Sequence, residues 1–128
     1  MKKKIVLTGI IKCLDEYLVV KRSKNDNYLP GIWEFPGGNI EDGELILEAL
    51  KREINEEISV DIDTSKVKLI HFYDEIKEKY HYIELDFLIN INNKNLNIKL
   101  SNEHDEFKWV KKESELIDDF IKNKIADL

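Results

Sequence analysis

One segment constrains this chain more than any other: Gly38 to Val60, GNIEDGELILEALKREINEEISV. Leu47, Leu50, Ile54 and Ile58 recur at i, i+3, i+7 and i+11. That spacing predicts a helix over Glu44 to Ile58 with one apolar stripe to bury. Asp42 stands just before it, placed to cap its start. Successive helical residues turn by about 100°, so with Glu53 at zero, Glu57 falls near ~40°, Glu56 near ~−60° and the stripe near ~100°. Three carboxylates therefore lie on an edge beside the buried stripe, with Arg52 on the Glu56 side.

Carboxylates so grouped repel one another unless a cation sits among them. Oxygen-only clusters suit Mg²⁺ or Mn²⁺, and Arg52 is placed to pin one carboxylate and keep it ionised. Taken alone, Glu56 and Glu57 read as a solvated acidic face. The wider constellation argues otherwise: Gly37-Gly38, then Glu44, then Arg52-Glu53 before the pair.

The length of 128 residues predicts one domain, residues 1–128, and 42% hydrophobic residues supply a core. The net charge of −6 argues against binding duplex nucleic acid, which needs concentrated Lys and Arg. It leaves room for a phosphorylated small molecule if metal ions supply positive charge. Cys13 is the only cysteine, so no intrachain disulfide forms. A reducing, cytoplasmic location is expected, and Cys13 reads as a small strand residue. The lysines at the start and the run Ile5 to Ile11 resemble a signal peptide, but the run is short and Lys12 interrupts it. No apolar run reaches membrane-spanning length. His71, His81 and His104 lack zinc-ligand spacing.

Ile5 to Ile11 and Tyr17 to Lys21 read as a hairpin turning at Asp15-Glu16. Ser23 to Pro30 reads as a loop. Trp33 to Phe35 is extended before Pro36, and Gly37-Gly38 is expected to make a tight turn at positive φ. Lys66 to Tyr73, His81 to Ile91 and Phe107 to Val110 read as strands. Glu113 to Ala126 reads as a helix with Leu116, Ile117, Phe120 and Ile121 facing inward. Strands around two helices predict a mixed sheet covered by helices.

Gly38 to Val60 resembles the signature of the Nudix hydrolases, G-x5-E-x7-R-E-U-x-E-E-x-G-U, with U a bulky apolar residue. Gly38, Glu44, Arg52, Glu53, Ile54, Glu56, Glu57 and Val60 match; Ser59 replaces a glycine expected to end the helix in left-handed geometry. Trp33 to Gly38 (WEFPGG) looks like the MutT-type branch. The resemblance implies an α/β/α sandwich with a mixed β-sheet and flanking helices. It also implies a pyrophosphohydrolase. Carried over, Glu53, Glu56, Glu57 and the Gly38 carbonyl hold Mg²⁺ (or Mn²⁺). Glu53 activates water, Arg52 orients Glu53, and Glu44 supports the site. Glu103 is the expected second acid, with Asp105 and Glu106 as rivals. Asp118, Asp119 and Asn123 fall where such enzymes place base-reading groups, although an exposed amphipathic helix accounts for them too. Phe35 reads equally as a base-stacking or a core aromatic, and Arg22 as a phosphate contact or a surface charge.

The resulting expectation is hydrolysis of a nucleoside triphosphate, including oxidised forms such as 8-oxo-dGTP, to monophosphate and pyrophosphate, in nucleotide sanitation and DNA repair. A CTP-type or nucleotide-sugar hydrolase and a catalytically silent nucleotide-binding module are the alternatives. A small-molecule nucleotide partner, no membrane, and a monomer or homodimer are expected.

Overall fold

The computed structural model describes residues 1–128. Alternation in the first two strands sets its architecture. In β1 (Lys2–Cys13), Leu7 and Ile11 face one side and Ile10 the other; in β2 (Glu16–Arg22), Leu18 and Val20 oppose Tyr17 and Val19. All seven are at most 1% exposed. A sheet buried on both faces needs a cover on each. Fully burying each such side chain contributes about 1.5–3 kcal/mol.

β1 is the central strand. It runs parallel to β6 (Tyr80–Ile91), in register from Lys2 against Tyr80 to Cys13 against Ile91. It runs antiparallel to β2 and to the short β4 (Gly37–Asn39). β2 also carries β3 (Trp33–Glu34) and β7 (His104–Val110), and β5 (Val67–Lys77) edges β6. The strand order is β3-β2-β1-β6-β5. α1 (Ile46–Ile58) packs on Leu7, Ile11, Leu18 and Val20. α2 (Asp119–Ile125) packs on Ile10, Tyr17 and Val19. This is the expected mixed-sheet α/β/α sandwich. Neither helix is long and apolar enough to cross a membrane.

Several local expectations need correction. α1 begins at Ile46, with Leu45 in the capping position, and Asp42 caps nothing. Asp42 instead shares a turn with Gly43, whose φ is +83°. The Glu48 carboxylate accepts from the Leu45 N–H at 3.2 Å in its place. Leu47 is 39% exposed, like Leu45 and Ile46 just before it; Ala49, Leu50, Ile54 and Ile58 carry the buried face.

Gly37 and Gly38 do not make a turn. They are extended and paired with Thr8 and Leu7 of β1, and neither has positive φ. α2 starts later than expected because Asp118 caps it, accepting from the Ile121 N–H at 3.0 Å. Its buried face is Ile121 and Ile125, continuing from Ile117, while Leu116 and Phe120 face solvent. The stripe runs at i, i+4, i+8 through the β-branched residues, so the inward reading of Leu116 and Phe120 is one residue out of phase.

Candidate active site

The extended Gly37–Asn39 strand lies between β1 and the carboxylate face of α1. A Cβ added at Gly38 would stand 2.2 Å from Glu53 Oε2, and one at Gly37 would stand 2.0 Å from the Leu7 carbonyl oxygen. At Gly37 the clash is with backbone and only glycine fits, whereas at Gly38 it is with the end of the Glu53 side chain, which an added Cβ would displace. The Gly37 N–H donates to Glu57 Oε2 at 3.2 Å.

Arg52 is the hub of the helix face. Its Nε and Nη2 donate to the two Glu44 oxygens at 2.7 and 2.8 Å. Nη1 reaches Glu53 at 2.9 Å and Glu56 at 3.2 Å, and Nη2 also donates to the Asn39 carbonyl at 3.1 Å. Only a planar guanidinium fork meets that many acceptors at once. The three acids differ in depth. The Glu56 side chain is 59% exposed and that of Glu53 15%. Glu57 is 6% exposed. It follows Leu50 by seven residues, which returns it to within about 20° of Leu50 on the helix. Glu57 therefore sits inside the buried stripe, and only Glu53 and Glu56 occupy its edge.

The last carbonyls of a helix need partners, and here a loop supplies them. The Lys99 N–H donates to the Ile58 carbonyl at 3.0 Å, and the Ser101 N–H to the Glu57 carbonyl at 2.9 Å. Ser59 ends α1 at φ 60°, ψ 33°, the left-handed geometry expected of the missing glycine. The same loop carries Glu103, whose carbonyl accepts from the Ser23 N–H at 2.8 Å. Glu103, Glu57, Gly37 and Gly38 border one cleft of about 220 Å³. The rivals are engaged elsewhere: Asp105 accepts from the Lys24 N–H at 3.1 Å, and Glu106 pairs with Lys21 at 3.4 Å.

A family model for the NUDIX domain matches residues 4–126. The chain is a Nudix hydrolase. It is 30% identical over 122 residues to the nucleoside triphosphatase NudI of Escherichia coli, covering 88% of this chain and 85% of that one. Among solved structures it resembles a MutT Nudix hydrolase from Burkholderia pseudomallei, with TM-score 0.79, 18% identity, and 100% and 99% of the two chains covered. It also resembles a bifunctional NMN adenylyltransferase/ADP ribose pyrophosphatase from Francisella tularensis, complexed with AMP and a Mn ion. There the TM-score is 0.72 and the identity 19%, and the match covers 97% of this chain and 40% of the other.

The remaining candidates of this Nudix hydrolase divide clearly. Arg22 borders the cleft but is held by Asp26 at 2.7 Å, Glu34 at 3.2 Å and the Tyr28 carbonyl at 2.8 Å. Phe35 borders it too, yet is 5% exposed and packs in the core beneath α2. Asp118 is spent as the cap of α2, and Asp119 borders neither cavity on this side of the sheet. Asn123 lines a neighbouring cavity of about 370 Å³. Sequence reasoning missed Glu34, His104, Glu84, Asp86 and Lys124. The His104 Nε2 lies 2.8 Å from Glu34 Oε2, and both residues border the cleft. Period-two alternation puts Asp86 on the face opposite Leu85 and Phe87, so no local signal marked it as buried.

Electrostatics separate the acids further. Burial pushes Glu57 up to about 9, and Glu34, Glu103 and Glu53 add to the push while the Gly37 N–H opposes it. Burial also raises Glu53, against the pull of Arg52. Glu44 is held down to about 2 by hydrogen bonds from Arg52 and the Glu41 N–H.

The acids do not converge into a preformed three-ligand cluster; Arg52 and the Gly37 N–H hold them. Their donor chemistry still fits a hard divalent cation. Every donor is oxygen, and Glu57 is driven upward first by its burial and then by the neighbouring Glu34, Glu103 and Glu53, negative charge that a cation would offset.

Proposed function

We propose that this Nudix hydrolase is a metal-dependent nucleoside triphosphate pyrophosphohydrolase that yields the monophosphate and pyrophosphate. It works as one domain over residues 1–128, in the cytoplasm. One observation carries the reading: Glu57 and Glu103 border the same cleft as the Gly37–Gly38 backbone, beside an Arg52-held Glu53. The name of the relative NudI supports a triphosphate substrate. The Mn ion of the Francisella structure supports a divalent metal, Mg²⁺ or Mn²⁺ here.

Glu53, Glu56, Glu57, Glu103 and the Gly38 carbonyl would hold the ion. When bound, it neutralises phosphate oxygens and eases departure of the leaving phosphate. The chain's own residues do the rest. Glu53 is the acceptor for the proton of the attacking water; its raised pKa brings it nearer to working pH, as general-base catalysis favours. The water oxygen forms a new bond to the α- or the β-phosphorus, and the P–O bond to the oxygen bridging them breaks, its electron pair leaving with pyrophosphate in the first case and with the monophosphate in the second. Arg52 fixes the Glu53 rotamer, and Glu44 fixes Arg52.

The test is product analysis by ³¹P NMR with a panel of triphosphates and Mg²⁺ or Mn²⁺. Monophosphate and pyrophosphate are expected. Release of orthophosphate, or no turnover with either metal, would overturn the reading. An oxidised substrate such as 8-oxo-dGTP, with a sanitation role in DNA repair, is the narrower reading, decided by including it in the panel.

A further inference from the structure

The cleft is also lined by a charged group outside α1 that phosphate hydrolysis does not use. Lys124 of α2 is 7% exposed. Its ammonium is held by Glu84, by Asp86 Oδ1 at 2.9 Å and by Tyr73 Oη at 3.4 Å. Lysines are seldom buried unless paired, and this one faces two acids from β6. Lys124 and Glu84 border the cleft that also holds Glu57 and Glu103. Lys124 further borders the neighbouring cavity with Asp86 and Asn123.

Phe120 lines both cavities and is 57% exposed. The Lys124 Nζ lies 4.8 Å from its ring centroid, and the Tyr73 ring meets it edge-on at 6.4 Å. An exposed ring beside a buried donor and a partly buried acceptor offers a base both a stacking face and an edge to read.

We propose that Lys124 and Glu84 read the base of the nucleotide, selecting a ring carbonyl next to a ring N–H, as in guanine and uracil, over adenine and cytosine. This rests on the nucleotide reading above. An ammonium only donates and a carboxylate only accepts. The carbonyl takes an N–H of Lys124 in place of the Tyr73 contact, the longest of its three. The ring N–H donates to Glu84. Adenine and cytosine set a ring nitrogen lone pair against Glu84 instead, leaving a buried acceptor unmatched. Phe120 stacks on the base without regard to its identity.

The experiment measures binding of GMP, UMP, AMP and CMP by calorimetry, alongside Mg²⁺-dependent turnover of the four triphosphates. Wild-type protein is expected to bind GMP and UMP at least ~10-fold more tightly than AMP and CMP. Glu84→Gln, whose amide both donates and accepts, is expected to bring that ratio near one. Phe120→Leu, at a position too exposed to carry the fold, is expected to weaken all four by ~10-fold and keep the ratio. Equal binding of the four by wild type, a preference that survives Glu84→Gln, or no effect of Phe120→Leu would each overturn the proposal. Base-selective binding without turnover would overturn the hydrolase reading alone, and turnover without base preference this proposal alone.

Discussion

Arg52 grips Glu44 through two parallel hydrogen bonds, Nε to Oε2 at 2.7 Å and Nη2 to Oε1 at 2.8 Å. The grip leaves Nη1 free to hold Glu53 at 2.9 Å. A lysine keeps the charge but cannot span both carboxylates and the Asn39 carbonyl. Arg52→Lys is therefore expected to lower kcat/KM by about 10²-fold through misplacement of Glu53. The urea midpoint should move little, because lysine keeps the positive charge beside these partly buried acids. Steady-state kinetics and denaturation on the same sample check both halves.

The adjacent glycines should fail in different ways. An added Cβ at Gly37 meets the backbone oxygen of Leu7, which cannot move without parting β4 from β1. Gly37→Ala is expected to cost about 3 kcal/mol in urea unfolding. At Gly38 the clash is with the end of the Glu53 side chain. Gly38→Ala should leave stability nearly intact and cut activity by about 10²-fold.

Ser59 holds left-handed geometry that costs a non-glycine residue about 1 kcal/mol. Its hydroxyl recovers part of this by donating to the Lys99 carbonyl at 3.0 Å, an exposed bond worth about 0.5 kcal/mol. Ser59→Gly is expected to stabilise the protein by about 0.5 kcal/mol in urea unfolding, with activity unchanged.

Glu57 makes stability depend on pH in the metal-free protein. Its folded pKa is raised to about 9, above the ~4.3 of an unfolded chain. Folding therefore favours the protonated acid. Its contribution is present in full below about pH 4 and is lost as pH rises towards 9. In EDTA the melting temperature is expected to fall from pH 5 to pH 9. With saturating Mg²⁺, which needs the ionised acid, that fall should shrink or reverse. Thermal melts across this range with and without Mg²⁺ check it.

The carboxylate helix was legible because period and chemistry agree there. Leu50, Ile54 and Ile58 fix its buried side, and that side fixes where Arg52 and Glu53 emerge. The left-handed exit at Ser59 was legible for a similar reason, since the terminus needs such a residue. Gly37 and Gly38 misled because a glycine pair signals a turn and close approach alike; only the positions of Leu7 and Glu53 distinguish them. The α2 side of the cleft was illegible. Lys124, Glu84 and Tyr73 lie 40 and 51 residues apart, and no local period announces a buried ion pair assembled across α2, β5 and β6. Phe120 was read as core because it is large and apolar, whereas the Ile117, Ile121 and Ile125 stripe already filled that face.

If the acids of α1 bind the metal that drives hydrolysis, Glu57→Gln must disable the enzyme without unfolding it. Glutamine keeps the shape and can still accept from the Gly37 N–H, so the fold should survive. The measurement is Mg²⁺-dependent pyrophosphate release from a nucleoside triphosphate by wild type and variant, each with and without EDTA. Wild-type activity should vanish in EDTA, and the variant should lose about 10³-fold in kcat/KM, roughly 4 kcal/mol. Near-wild-type release by the variant, or wild-type release that persists in EDTA, would mean that these acids do not hold a catalytic metal.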